Sequence, residues 1–298
     1  MLVWLSLGAC RGEIPPATPP TQPRVPMPSE DLSLQVETLK PESLATAARL
    51  GPAAGPTLAR MARHANPEVR AQALICLRAS GGNEATPVAL AALDDEDATV
   101  VVHALHVLQA FPPANDAPLL AAYDRHEEER DQIALIAGLM GSRARVAAWK
   151  IHWLSSPSDS ALANALLTAV ARMADPDARR EFSVRLSAAR GHDSQAWIDR
   201  AVYQSDRWVL DPLSKLLDRN ERAVELTPDD PTDLRPLRTC DLAANAVLIL
   251  TRSKPAFPAP RSTPYLDAEI VEIRRLAQQA IRRVPPASTS SGNPEKPQ

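Results

Sequence analysis

Short amphipathic segments recur along the first half of the chain, each with apolar residues at helical spacing. Four of them carry an adjacent Ala-Leu pair, which begins at Ala73, Ala104, Ala134 and Ala165. The steps between these alanines are 31, 30 and 31 residues. Each segment follows Asn-Pro or Asp, residue types that are typical of the turn before a helix. A constant period of this length predicts an α-solenoid, in which short helix pairs stack on one another.

Residues 58–77, LARMARHANPEVRAQALICL, resemble the repeats of bacterial HEAT-repeat proteins, including the shorter PBS lyase HEAT-like repeats. The segment has the family's apolar first helix, its Asn-Pro turn, and a second helix that begins Val-Arg and continues with Ala-Leu. The resemblance implies an all-α solenoid of HEAT-like helix pairs with a period of about 31 residues. In place of Val69-Arg70 the next unit has Val100-Val101, so we expect only a partial ladder of polar side chains between repeats.

Composition divides the chain into a folded middle and two ends that we expect to lie outside the fold. The stretch after Cys10 is dense in proline and has no hydrophobic period, which is typical of an extended tether. The last residues are rich in Pro and Ser and are typical of a disordered tail. The predicted boundaries are 1–9 for a signal-peptide remnant, 10–31 for the tether, 32–284 for the solenoid and 285–298 for the tail, with regular repeats over 54–172 and less regular ones over 173–284.

The overall composition favours packed helices and argues against nucleic acid as a partner. Aromatic residues make up only 4% of the chain and glycine occurs 10 times. The formal net charge of -3 is unlike that of a protein that binds phosphate backbones through a basic face. After residue 10 no apolar stretch approaches the roughly 18 to 20 residues of a membrane-spanning helix. Cys76 and Cys240 lie in helical patterns about five layers apart, so we expect both to be buried and free.

The N-terminus carries the signal for location. Residues 7–10, LGAC, are similar to the cleavage box of bacterial lipoproteins, which implies cleavage before Cys10 and lipidation of its sulfur. Residues 1–9 contain no Lys or Arg, so we expect the full signal peptide to begin upstream of Met1. Arg11 follows the cysteine, which in the family's sorting pattern favours the outer membrane of a Gram-negative cell. The alternative is an apolar segment that packs against the first repeat.

His103 and His106 are the candidate metal ligands. Spaced i, i+3 on a predicted helix, they share one face and could form half of a metal site. Further ligands would come from His126 or from the glutamates at 127–129. In the alternative interpretation, one histidine lines the groove of the solenoid and the other is partly buried. We therefore predict neither a metal nor a cofactor, and keep this pair as the one metal candidate.

Four tryptophans are the candidates for a ligand or partner groove. Trp149 and Trp153 are spaced i, i+4, and Trp197 and Trp208 follow in later helices. An aromatic face on a solenoid could hold a peptide, a glycan or a stacked base. The alternative is that these large side chains fill the core between layers.

Motifs that usually reveal an enzyme do not occur in the sequence, among them a Gly-rich phosphate loop, Cys-x-x-Cys and His-Glu-x-x-His. We therefore predict a non-enzymatic HEAT-repeat lipoprotein that serves as a protein-protein interaction scaffold on the periplasmic side of the cell envelope. The partners are then an unidentified protein and, through the lipid, the membrane. The alternative is a cytoplasmic HEAT-like enzyme, or an accessory protein that handles a chromophore or another ligand in the groove around residues 100–210.

Overall fold

The fold is a stack of short α-helices. The computed structural model describes residues 28–141, 145–223 and 237–282, so Cys10, the signal remnant and the tail lie outside the described residues. In chain order the α-helices are α1 (Pro28–Glu37), α2 (Glu42–Leu50), α3 (Gly55–Met61), α4 (Pro67–Ser80), α5 (Ala85–Ala92), α6 (Ala98–Ala110), α7 (Ala117–Arg125), α8 (Arg130–Met140), α9 (Val146–Ser155), α10 (Ala161–Arg172), α11 (Pro176–Ala188), α12 (His192–Gln204), α13 (Leu210–Leu216), α14 (Thr239–Thr251) and α15 (Asp267–Arg282). Helix α1 therefore begins inside the range predicted for the tether.

Consecutive helices pair, and the pairs stack in two layers. The second helices of the pairs, α2, α4, α6, α8 and α10, contact one another in that order and form one layer, while α1, α3 and α5 form the other. Beyond α10 the stacking is less regular: α11 packs on both α10 and α13, and α12 packs on α14. Helix α15 covers α13 and α14 at the C-terminal end. The predicted all-α solenoid is confirmed.

Side-chain caps explain why the helices begin where the sequence pattern places them. Asn66 accepts a hydrogen bond from the backbone N–H of Glu68 at 2.9 Å, and Asp97 accepts one from that of Thr99 at 2.9 Å. Asp175 caps α11 in the same way. Each cap satisfies an amide that the helix itself leaves without a partner. The Asn-Pro turn before α4 and the Asp turns before α6 and α11 thus supply helix N-caps.

The Ala-Leu pairs supply the core between layers. All four alanines are buried, and so are Leu74, Leu105 and Leu166, whereas Leu135 is partly exposed. Small alanine side chains let neighbouring helices approach, and leucines fill the space between them. Cys76 and Cys240 are buried and free, as predicted.

Helices α8 and α10 lie very close together at Gly138. A Cβ atom there would lie 2.8 Å from the Cα atom of Ala169. Tyr203 of α12 reaches over α10, and its hydroxyl donates a hydrogen bond to the carbonyl oxygen of Leu135 on α8. A glycine is therefore needed at this position, because both the α10 backbone and the Tyr203 hydroxyl occupy the space of a side chain.

The predicted polar ladder between repeats is present in part. Arg70 donates to both carboxylate oxygens of Asp95 in the next turn, at 2.8 and 2.7 Å, and Arg179 donates to Asp206 at 3.0 Å. Arg70 also donates to the carbonyl oxygens of His64 and Ala65 in the turn before α4, and Arg179 to that of Ala171 at the end of α10. Each ties one turn to the next, whereas Val101 occupies the equivalent position in α6 and forms no such link.

A polar network around Asp241 closes the C-terminal end. The buried carboxylate of Asp241 accepts hydrogen bonds from the backbone N–H of Arg238 (2.9 Å), from the Arg238 guanidinium (2.9 and 3.0 Å) and from the backbone N–H of Tyr265 (2.9 Å). Burial by itself would raise the pKa of Asp241, but these bonds outweigh it and lower the pKa. Asn245 bonds both to the backbone of Arg261 and to the Tyr265 hydroxyl, which fixes the loop before α15.

In the described parts of the chain, no helix combines the length and the apolar character that crossing a membrane requires.

Candidate interaction surface across helices α9 to α12

His103 and His106 lie side by side on α6, with ring centroids 5.7 Å apart, and both are partly buried. Burial, reinforced by the neighbouring charge of His106, lowers the pKa of His103 and favours its neutral form. His126, the proposed further ligand, instead has its Nε2 atom 2.7 Å from the carbonyl oxygen of Leu93. Within residues 28–141, 145–223 and 237–282, no three His, Cys, Asp or Glu side chains converge as metal ligands. The structure brings the two histidines together, but no third ligand.

Trp149 is a core residue. Its side chain is fully buried between α7 and α9, and its indole N–H donates to the carboxylate of Asp116 at 3.2 Å. Asp116 is itself buried and pairs with Arg145 at 2.8 Å. The edge of the Trp149 indole packs against Tyr123, with centroids 5.5 Å apart. Trp149 therefore does not line a groove, because none of its side chain is exposed.

Trp197 and Trp208 also belong to the core between helices. Both rings meet Phe182 of α11 edge to face, with centroid distances of 5.2 and 5.4 Å. Trp197 is buried, and Arg179 lies over the partly exposed Trp208 ring. Only one edge of Trp197 reaches open surface. Trp197 and Trp208 thus fill the space between helix layers, which is the alternative interpretation of the tryptophans.

Trp153 borders a groove whose wall includes exposed aliphatic side chains. This groove lies between α9 and α11 and has a volume of about 430 Å³. Leu154 and Val184 line it, and Ile151 lies beside Leu154 on the same face of α9. These three aliphatic side chains are unusually open to solvent, at 67% for Ile151, 67% for Leu154 and 57% for Val184. The α9–α11 groove is thus the apolar part of this surface.

A second groove of about 750 Å³ lies between α10, α11 and α12. It is more polar than the first, and Trp197 and Arg200 contribute to its wall. Glu181 and Arg185, one turn apart on α11, line both grooves. The two grooves are therefore adjacent, on either side of α11, and we refer to them together as the α11 trough. Both lie within residues 100–210, the range that the alternative of an enzyme or a ligand-handling protein assigns to its groove.

Glu181 and Arg185 form the ridge between the two grooves, and hydrogen bonds hold this ridge in place. The Arg185 guanidinium bonds to Glu181 at 2.7 Å, to the carbonyl oxygen of Ser158 at 2.7 Å and to the side chain of Asn164 at 2.8 Å. These bonds join α11 to the α9–α10 turn and to α10. Arg185 is a structural residue here, because its Nε and Nη1 atoms already donate to protein acceptors.

Arg200 differs from Arg185 in having no hydrogen-bond acceptor among the described residues. Its guanidinium lies over the Trp197 ring, 5.2 Å from the centroid, and is partly buried. Burial lowers the pKa of Arg200, and the charges of Asp199 and Asp193 act in the opposite direction. Sequence analysis missed this residue. The i, i+3 spacing of Trp197 and Arg200 was the available signal, since it places an aromatic ring and a cation on one helix face.

Comparison with known proteins supports the repeat assignment for part of the chain. Residues 42–109 match the protein family described as HEAT repeats. The match includes the segment 58–77 and ends in α6, before the α11 trough begins. No curated protein matches the chain.

Proposed function

We propose that this chain is a non-enzymatic HEAT-repeat scaffold that binds another protein at the cell envelope. HEAT repeats commonly mediate protein-protein interaction, and the stacked helices present a long surface for it. The observation that carries the proposal is the exposed cluster of Ile151, Leu154 and Val184 beside an open groove. Apolar side chains grouped in this way on a surface mark contact sites for other molecules.

The proposed location rests on residues 7–10 and on the proline-rich stretch that follows. Lipid on Cys10 would hold the chain at a membrane, and the outer membrane is favoured by Arg11. A stretch of this composition between Cys10 and Pro28 spans up to about 50 Å, at about 3.1 Å per residue. The solenoid would thus work at a distance from the bilayer that leaves its surfaces accessible to a partner.

Metabolic labelling with a fatty acid tests the anchor. With the codons upstream of Met1 included, we expect the wild-type protein to incorporate label and Cys10→Ala to lose essentially all of it, because no other residue can accept the lipid at a lipoprotein cleavage box. Cys76→Ala is the matched control and should keep the label, since Cys76 is buried in α4. A wild-type protein without label, or a label that persists in Cys10→Ala, contradicts the anchored location.

Photo-cross-linking in the source cells tests the scaffold function. A photoreactive amino acid at Ile151 should attach the chain to a distinct protein, because this side chain is exposed beside the groove. Leu154→Asp in the same chain should reduce the yield by about ten-fold, since it places a charge in the apolar contact.

The control position is Leu34 on α1, which is similarly exposed but far along the solenoid. If neither position yields a cross-linked protein, the scaffold function is contradicted. If the purified chain instead carries a small molecule, the alternative of a ligand-handling protein is favoured.

A further inference from the structure

We propose that the α11 trough binds a segment of the partner that presents a large apolar side chain and, about three residues away, one carboxylate. The apolar side chain enters the α9–α11 groove and the carboxylate pairs with Arg200. This inference rests on the proposed scaffold function and specifies the chemistry of the partner at that surface.

The apolar half of the segment is set by α9 and α11. Leu154 and Val184 line one groove from opposite helices, and Trp153 adds an aromatic edge. Asp177 at the rim of this groove is already paired, since Lys150 approaches it at 2.9 Å. The charge of Asp177 is therefore already balanced by Lys150, while the aliphatic side chains of the groove remain uncovered. A large apolar side chain placed here removes its own surface and theirs from water.

The acidic half of the segment is set by Arg200. A guanidinium carries five N–H donors, and in the described residues none of those of Arg200 meets an acceptor. A carboxylate satisfies such a group with two parallel charge-assisted bonds, more strongly than a neutral acceptor does. Asp159 and Asp193 line the same groove and are exposed, so they disfavour a second carboxylate. The complementary segment therefore carries one acid rather than an acidic run.

The spacing follows from the position of the two grooves on either side of α11. Packed helices lie about 8–10 Å apart, and an extended chain advances about 3.3 Å per residue. In a segment that crosses the Glu181–Arg185 ridge from one groove to the other, the acidic anchor therefore lies about three positions from the apolar anchor. The expected pattern is an apolar residue, two residues of any type, and Asp or Glu.

Selection from a random peptide library displayed on phage, with the full chain as bait, tests this pattern. We expect enriched peptides to contain the apolar residue and the acid three positions later. For one enriched peptide and its Glu→Gln counterpart, fluorescence polarisation gives the affinity for the wild-type protein and for Arg200→Gln. Arg200→Gln should lower the affinity for the acidic peptide by about ten-fold and leave the affinity for its Gln counterpart unchanged. Only the acidic peptide forms an ion pair with Arg200 that the substitution can remove.

Two variants control for position and folding. Leu154→Asp should lower the affinity for both peptides by about ten-fold or more. Arg180→Gln should change neither affinity by more than about two-fold, because the Arg180 side chain is largely exposed on the rim of the groove. Leu154→Asp should unfold at the wild-type temperature because Leu154 is exposed, and Arg200→Gln should unfold slightly below it because the contact of the guanidinium with the Trp197 ring is lost.

The inference is overturned if no peptide is enriched, if the enriched peptides lack the acid, or if Arg200→Gln changes the affinity of both peptides equally. Peptides whose binding is unaffected by Leu154→Asp also overturn it, but they leave the scaffold function standing, because they bind the solenoid elsewhere. The scaffold function itself fails only if cross-linking in cells captures no protein from any position.

Discussion

Replacing Trp149 with alanine is expected to lower the free energy of unfolding by about 3–5 kcal/mol. The indole is fully buried, packs on Tyr123 and donates to Asp116. Its loss opens a cavity between α7 and α9 that surrounding helices fill only partly. It also leaves one oxygen of a buried carboxylate without its donor, although Arg145 remains bound to the other. Urea denaturation followed by circular dichroism measures this change.

Trp153→Ala is the matched control for this experiment, since the two residues are one turn apart on α9. Trp153 is partly exposed and borders open surface, so its loss should cost less than half as much stability. Trp149→Phe should fall between the two, because it keeps most of the packing and removes only the hydrogen bond and part of the volume. Equal effects of the two alanine variants would contradict the assignment of Trp149 to the core.

Asp241→Asn is expected to destabilise the C-terminal end by about 3 kcal/mol at neutral pH. The buried carboxylate holds the guanidinium of Arg238 and the amide of Tyr265, and it thereby joins α14 to the loop that precedes α15. An uncharged amide cannot accept all four bonds, and it leaves the Arg238 charge without its counterion. Amide hydrogen exchange should show faster exchange in α14 and α15, with α4 to α8 unchanged, since repeats in a solenoid contact only their neighbours.

The difference in stability between the wild type and Asp241→Asn should also depend on pH, which provides a second test. The pKa of Asp241 is lower in the folded chain than in the unfolded one, so the carboxylate stabilises the fold at every pH above its unfolded pKa, which is about 3.9 for aspartate. That stabilisation is lost as the pH falls through the folded pKa. The difference in stability between the wild type and Asp241→Asn should therefore narrow below about pH 4. A difference that stays constant down to acid unfolding would contradict the proposed role of the charge.

The sequence predicted the repeat fold because its signals are local. An N-cap such as Asn66 or Asp97 acts on amides two or three residues away, and an Ala-Leu pair faces the next layer wherever the helix around it forms. The less regular second half was also visible, as a loss of period after residue 172. These features need no knowledge of which distant segments meet.

The role of each tryptophan could not be predicted in the same way. Trp149 and Trp153 share helical spacing and one helix, yet Trp149 lies in the core and Trp153 borders a groove. The difference depends on Asp116 and Tyr123, which belong to the preceding helix α7 and its N-cap. Likewise, the spacing of His103 and His106 predicted their proximity, but the absence of a third ligand near them in the described residues depends on where the neighbouring repeat places its side chains.

The sequence by itself determined that the chain forms stacked helix pairs, where most second helices begin, and which alanines and leucines separate the layers. Only the tertiary structure decided that α9, α10, α11 and α12 enclose two adjacent grooves, that Ile151, Leu154 and Val184 remain uncovered, and that Arg200 lacks an acceptor among the described residues. The physical reason is the range of the interactions. Helix formation and capping act within a few residues, whereas burial and charge pairing at this surface depend on helices that meet only once the repeats have stacked.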